Sequence, residues 1–245
     1  MDKNTDTEVA IVTGAGKGIG RAIAVALARA GWYVAVNYRS SATAAEETLA
    51  QIKKDGGRGE LLPFDVTDAG RTKAALDDLF SRYKGIDVLV NNAGITADGL
   101  FMMMPEKDWR QVIDTTLTGF YNVTKPVLKK MVRRKKGAVV SISSIAGLIG
   151  NRGQANYSAA KAGLIGASRS LATEVGRLGI RVNVVAPGII DTDMIRDVAL
   201  TGLKNMIPMA RIGQPEEIAN VVRFLCSADA SYITGQVISV NGGMA

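Results

Sequence analysis

The chain has 245 residues, a formal charge of +7 and a hydrophobic fraction of 47%, with a single cysteine, Cys226, and no histidine. That composition excludes a disulfide scaffold, any nucleophile pair built on histidine and an ordinary zinc site, leaving Tyr, Lys, Asp and Glu as acids and bases. The positive surplus favours phosphorylated or acidic partners. No nucleic-acid-binding motif, bilayer-length apolar run or leader-like start occurs (Met1 to Glu8 is polar and acidic), so a soluble cytoplasmic protein is expected.

Apolar runs that end in polar or glycine-rich residues recur at Val9–Val12, Tyr33–Val36, Leu61–Phe64, Val88–Val90, Ala138–Ile142, Ile180–Val185 and Val237–Val240. They read as strands buried on both faces. Helical stripes lie between them, the clearest being Trp109, Val112, Ile113, Thr116, Leu117, Phe120, Val123, Val127 and Met131. This alternation predicts one domain of α/β class, a Rossmann-type doubly wound parallel sheet in three layers (α/β/α), with ligands bound beyond the carboxyl ends of the strands. Asp191–Arg211, rich in Met and carrying Gly202 and Pro208, breaks the alternation and reads as a substrate lid.

After the first strand, Thr13-Gly14-Ala15-Gly16-Lys17-Gly18-Ile19-Gly20 leads into a helix beginning near Ile19. Glycines let backbone N–H groups approach a pyrophosphate, and the helix N-terminus adds partial positive charge. The spacing is neither the general dinucleotide fingerprint nor the P-loop, and by itself it also fits a tight strand-to-helix turn. NAD enzymes place an acid at the end of the second strand to bind the ribose 2′-hydroxyl, whereas Asn37-Tyr38-Arg39-Ser40 stands here. Arg39 and Lys17, with no acid opposing them, would attract a 2′-phosphate, so NADPH is the expected cofactor; solvated surface charge is the other reading. Asp65-Val66 and Asn91-Asn92-Ala93-Gly94 follow the third and fourth strands, where an adenine edge and its ribose would lie. The Asn pair also suits a strand-terminating turn.

Tyr157 and Lys161 stand at i and i+4 of a helix, so phenol and ammonium share one face. A fixed cation lowers a phenol pKa from its free value of ~10 toward one useful for proton transfer, which makes Tyr157 the candidate general acid. A core-edge tyrosine beside a surface lysine has the same spacing.

Taken together, Thr13-Gly14-x-x-x-Gly18-x-Gly20, Asn91-Asn92-Ala93-Gly94, Ser144, Tyr157-x-x-x-Lys161 and Pro187-Gly188 resemble the short-chain dehydrogenase/reductase family over essentially the whole chain. Within it, the stretches from Asn91 to Thr96, Gly150 to Tyr157, Lys161 to Gly166, Val182 to Gly188 and Val240 to Met244 are similar to those of 3-oxoacyl-acyl-carrier-protein reductases. The resemblance implies NADPH-dependent reduction of a β-keto thioester to the 3-hydroxyacyl product. It implies that Tyr157 protonates the carbonyl oxygen and that Ser144 hydrogen-bonds the same oxygen. Lys161 would bind the nicotinamide ribose, lower the tyrosine pKa and pass protons from water, while Pro187, Gly188, Ile190 and Thr192 would orient the carboxamide and diphosphate end. The sequence departs at the fourth catalytic position, an asparagine that helps hold a relay water, where Thr116 stands. Asn122 lies six residues on and faces another way.

The resemblance also implies an acidic acyl carrier protein as partner, docked by basic residues of the kind found at Arg133-Arg134-Lys135-Lys136, Arg177 and Arg181. A cationic helix end complementing its own dipole is the other reading of that run. A homotetramer paired through the helices around Asp108–Met131 and Gln154–Val175 is implied, with a mixed oligomer containing a related subunit as the alternative. Met194 to Met209 reads as an adaptable apolar wall for an acyl chain, and Phe101 to Met104 as core or subunit interface. The rival functions are reduction of another ketone or of acetoacetyl-CoA, and a non-catalytic NADPH-binding subunit supported only by Thr116.

Overall fold

In β1 (Val9–Val12) successive side chains go to opposite faces: Ala10 and Val12 join one apolar cluster, Val9 and Ile11 the other. A computed structural model describes residues 7–193 and 206–245. In it β1 lies within a seven-stranded parallel sheet ordered β3-β2-β1-β4-β5-β6-β7. The other strands are β2 (Tyr33–Tyr38), β3 (Arg58–Pro63), β4 (Val88–Asn91), β5 (Gly137–Ile142), β6 (Ile180–Pro187) and β7 (Val237–Val240).

The helices are α1 (Gly18–Arg29), α2 (Ala42–Lys54), α3 (Ala69–Arg82), α4 (Glu106–Ile113), α5 (Gly119–Arg134), α6 (Ala146–Ile149), α7 (Ala155–Val175) and α8 (Pro215–Cys226). Ile23 and Leu27 of α1, Ile52 of α2 and Ile218 and Val222 of α8 pack on one face of the sheet. Leu76 and Leu79 of α3, Val123 and Val127 of α5 and Ala172 of α7 pack on the other, which completes three layers.

Two details depart from the sequence expectation. The outermost strands are not buried on both faces: β3 starts at an exposed Arg58, upstream of the apolar run, because as an edge strand it pairs with β2 alone, and β7 at the other edge is mostly half-buried. The long helical stripe is interrupted, since α4 passes through a π-helical turn at Asp114–Thr118 before α5. The extra residue shifts the phase, so Thr115 and Thr116 are both buried.

Chain connections leave β1 toward β2 on one side and return at β4 on the other, so the carboxyl ends of β1 and β4 open the crevice where such sheets take ligands. The expected lid, Asp191–Arg211, falls largely outside the described residues, as does most of the Met194 to Met209 wall. Among the described residues no helix is long and apolar enough to cross a membrane.

Candidate active site

The glycine-rich loop after β1 is shaped by two side-chain amides, one buried and one half-buried. Asn37, in β2, accepts from Gly14 N (3.1 Å) and donates to Leu62 O and Phe64 O. Asn92 donates to Thr13 O and Gly14 O at 2.9 and 3.1 Å. Gly14 and Gly18 have φ of +61° and +53°, open to glycine at little strain. A Cβ on Gly20 would come within 2.3 Å of Gly14 O, so only glycine lets α1 begin directly under the loop. This cradle of backbone N–H groups at a helix N-terminus fits a dinucleotide diphosphate. Asn37 was expected to face the cofactor, but its side-chain amide is turned inward and supports the loop instead.

Beside the loop, Lys17 Nζ lies 3.9 Å from Asp193 and Arg39 Nη1 lies 3.9 Å from Asp65. The expectation that no acid opposes these cations is therefore corrected: each faces a carboxylate. Exposed pairs this long contribute little, and a doubly charged phosphate can outcompete them. The other oxygen of Asp65 accepts from the Thr67 N–H and hydroxyl (2.9 and 2.8 Å), which shapes the turn after β3. Val66 is buried and its carbonyl accepts from Asn122, which pins this turn to α5.

At the carboxyl end of β5 the backbone brings Ser144 next to Tyr157, close enough for its hydroxyl to act on the phenol. Asn156, fully buried, donates to Ala97 O and accepts from Tyr157 N, fixing the first turn of α7. One turn on, Lys161 Nζ donates to Ile142 O (2.7 Å) and sits 5.5 Å from the centre of the Tyr157 ring. Ser143 Oγ donates to Lys161 O, and a Cβ on Gly94 would lie 3.2 Å from the ammonium. Burial pulls Lys161 down to about 8. The Tyr157 phenol is pushed up by burial, with Ser144 opposing and Asp98 adding to the rise. The net shift of the phenol is thus upward rather than downward, because burial outweighs Ser144, while the Lys161 ammonium is directed at the Ile142 carbonyl and the ring face.

Thr116 does not join this group. Its hydroxyl is buried without a partner and lines a cavity of about 10 Å³, walled also by Thr13, Asn91, Thr115 and Leu164 but by none of Ser144, Tyr157 and Lys161. That volume is close to what one water occupies. The Asn91 amide donates to Thr124 Oγ1, and Ala93 N donates to Thr13 Oγ1, so both brace β4 against its neighbours. Pro187 O accepts from Ile145 N, and Gly188 packs so closely on Asn241 that a Cβ would sit 2.7 Å from its Cα. Ile190 is in the core, and a Cβ on Gly18 would meet the Thr192 methyl at 3.3 Å. Gly16 and Ile19 take their places on the loop and at the start of α1.

The basic run lies elsewhere. Arg134 pairs with the buried Asp87 (3.1 Å), Lys136 with Glu8 (2.5 Å), and Arg181 donates to Leu225 O and Ser227 O. These groups sit where β4, β5 and β6 begin, at the edge opposite Tyr157, so within one protomer they do not surround the site.

A parallel sheet with a glycine cradle after β1 and a Ser-Tyr-Lys group after β5 defines an oxidoreductase of the short-chain dehydrogenase/reductase type. The chain belongs to that family: the family model described as "Enoyl-(Acyl carrier protein) reductase" matches residues 14–245. It is 48% identical over 238 residues to a 3-oxoacyl-[acyl-carrier-protein] reductase of Synechocystis sp., covering 97% of this chain and 96% of that one. Identity to the 3-oxoacyl-[acyl-carrier-protein] reductase FabG of Staphylococcus aureus is 48% over 241 residues (97% and 98% covered), and to that of Escherichia coli 46% over 246 (98% of each).

Proposed function

We propose that the protein reduces a 3-oxoacyl thioester, borne on an acyl carrier protein, to the 3-hydroxyacyl thioester, with NADPH as reductant. The observation that carries this is the grouping of Ser144 and Tyr157 beside Lys161, at the carboxyl end of the sheet that also bears the glycine cradle. The family description names enoyl reduction, but relatives aligned over nearly all of both chains carry the 3-oxoacyl name, and two hydroxyls side by side suit a ketone oxygen.

Gly14, Gly18 and Gly20 would hold the diphosphate, Lys17 and Arg39 the 2′-phosphate, and Lys161 the nicotinamide-side ribose. The bound cofactor supplies a hydride to the carbonyl carbon. As the C=O π bond breaks, Tyr157 gives its proton to the oxygen while Ser144 holds that oxygen in place. The raised phenol keeps Tyr157 protonated throughout the neutral range, as an acid must be. Lys161, near 8, exchanges protons with water at the same pH and is suited to restoring the tyrosine. Thr116 has no side-chain part in this route, so Thr116→Val should keep steady-state kcat within about twofold and, by removing an unpartnered buried hydroxyl, leave Tm equal or higher.

Acetoacetyl thioester on carrier protein should oxidise NADPH rapidly, on CoA more slowly, and turnover of neither would refute the reading. Replacing Arg39 with Asp should lower the NADPH-over-NADH ratio of kcat/KM by about tenfold or more, equal to ~1.4 kcal/mol. Equal use of both cofactors by the unaltered protein would remove the 2′-phosphate assignment. We also propose a homotetramer: α5 and α7 flank an apolar groove of about 590 Å³ lined by Phe120, Tyr121, Leu128, Val132 and Leu171, and α7 leaves open space over Gly166 for close helix contact.

A further inference from the structure

One arginine joins the two segments that face the proposed 2′-phosphate. Arg21, in the first turn of α1, donates to Gly16 O from both Nε (3.1 Å) and Nη2 (2.9 Å). The same guanidinium reaches across to α2, to Ala44 O at 3.1 Å, Glu47 Oε2 at 2.8 Å and Thr48 Oγ1 at 3.0 Å. Thr48, fully buried, adds its own hydroxyl to Gly16 O and Ala44 O. Gly16 precedes Lys17, and α2 begins just after Arg39, Ser40 and Ser41. The planar, multiply bonded guanidinium therefore fixes the distance and angle between the segment carrying Lys17 and the segment carrying Arg39.

The diphosphate part of the cradle is held separately. Gly14 is fixed by Asn37 and Asn92, neither of which touches Arg21. Loosening Arg21 thus acts on the 2′-phosphate end and spares the diphosphate end.

We infer that Arg21 is a positioning residue for 2′-phosphate recognition: it holds Lys17 and Arg39 in register without itself being placed to contact the cofactor. This rests on the NADPH reading above, and the test separates the two. Dissociation constants for NADPH and NADH are measured by fluorescence titration of the full chain, as parent, Arg21→Met and Arg21→Lys. Arg21→Met should raise the NADPH constant about tenfold, the scale on which lost positioning acts, with the NADH constant changing less than twofold. Arg21→Lys, a point charge without the planar fork, should fall between; this like-charged change at a partly exposed position keeps the test available if Arg21→Met does not fold. An equal rise for both cofactors, or an unchanged ratio in a parent that prefers NADPH, would overturn the inference alone. A parent that binds both equally would overturn the cofactor reading and the inference with it.

Discussion

Tyr157→Phe should lower kcat by 10²–10⁴-fold, the range for loss of a general acid, while NADPH affinity stays within about twofold. The substitution removes one oxygen and little else. The ring remains under the Lys161 ammonium, and Ser144 Oγ keeps the hydrogen bond from Ala146 N, so the site retains its shape. Stability should change by no more than about 1 kcal/mol, because only one hydroxyl is lost and the ring keeps its packing. In the unaltered enzyme the raised phenol keeps the acid itself protonated well above neutral pH. The alkaline loss of activity should therefore begin earlier, as Lys161 gives up its proton at about 8 and can no longer restore the tyrosine. If Tyr157→Phe kept more than about a tenth of parental kcat, the proton would have to come from elsewhere, with Ser144 the nearest candidate.

Most of the framework was legible because each central strand is a local apolar run and each site loop follows one immediately. Val9–Val12 and Val237–Val240 are found where the sequence places them. What escaped has a common cause, the direction a polar side chain takes across the sheet. Asn37 follows Val36 at the end of a strand in a place that invites a ligand-facing role, yet its amide turns under the loop and satisfies three backbone groups, one in the loop after β1 and two at the end of β3 and just beyond it. Nothing within β2 tells which way it points. Arg21 and Thr48 escaped for the same reason, since their shared acceptor, Gly16 O, becomes visible only when α1 and α2 lie side by side. For Arg134 the missing information was Asp87, a buried acid distant in sequence that fixes the arginine at the far edge of the sheet. The π-helical turn was hidden because nothing in Asp114–Thr118 marks an inserted residue; the phase shift shows only in Thr115 and Thr116 being buried together.

Lys161→Met should make the protein much less active and, at neutral pH, more stable. The activity loss follows from removing both the proposed ribose contact and the proton exchanger, and should reach about 10²-fold in kcat/KM with weaker NADPH binding. The stability gain follows from burial, which takes the ammonium from 10.5 to about 8. Below pH 8 Lys161 is charged in both the folded and the unfolded chain, and the folded state bears the full penalty of the buried charge, ~3 kcal/mol. Between pH 8 and 10.5 the folded state has released its proton while the unfolded chain still binds one, so parental stability from this group rises with pH. Above 10.5 both are neutral and the penalty is gone. Methionine fills a similar volume without charge, but it leaves the Ile142 carbonyl without its donor, at ~1–2 kcal/mol. The burial penalty is the larger, so the net gain at pH 7 is ~1–2 kcal/mol, or ~2–8 °C in Tm for a chain of this size. The decisive measurement is the Tm difference between variant and parent as a function of pH. It should be positive at pH 7, shrink above pH 8, change sign at roughly pH 9–10 where the remaining penalty equals the lost hydrogen bond, and stay negative above 10.5. A variant less stable than the parent at pH 7 would mean that Lys161 contributes more as a hydrogen-bonded, ring-stacked cation than its burial takes away.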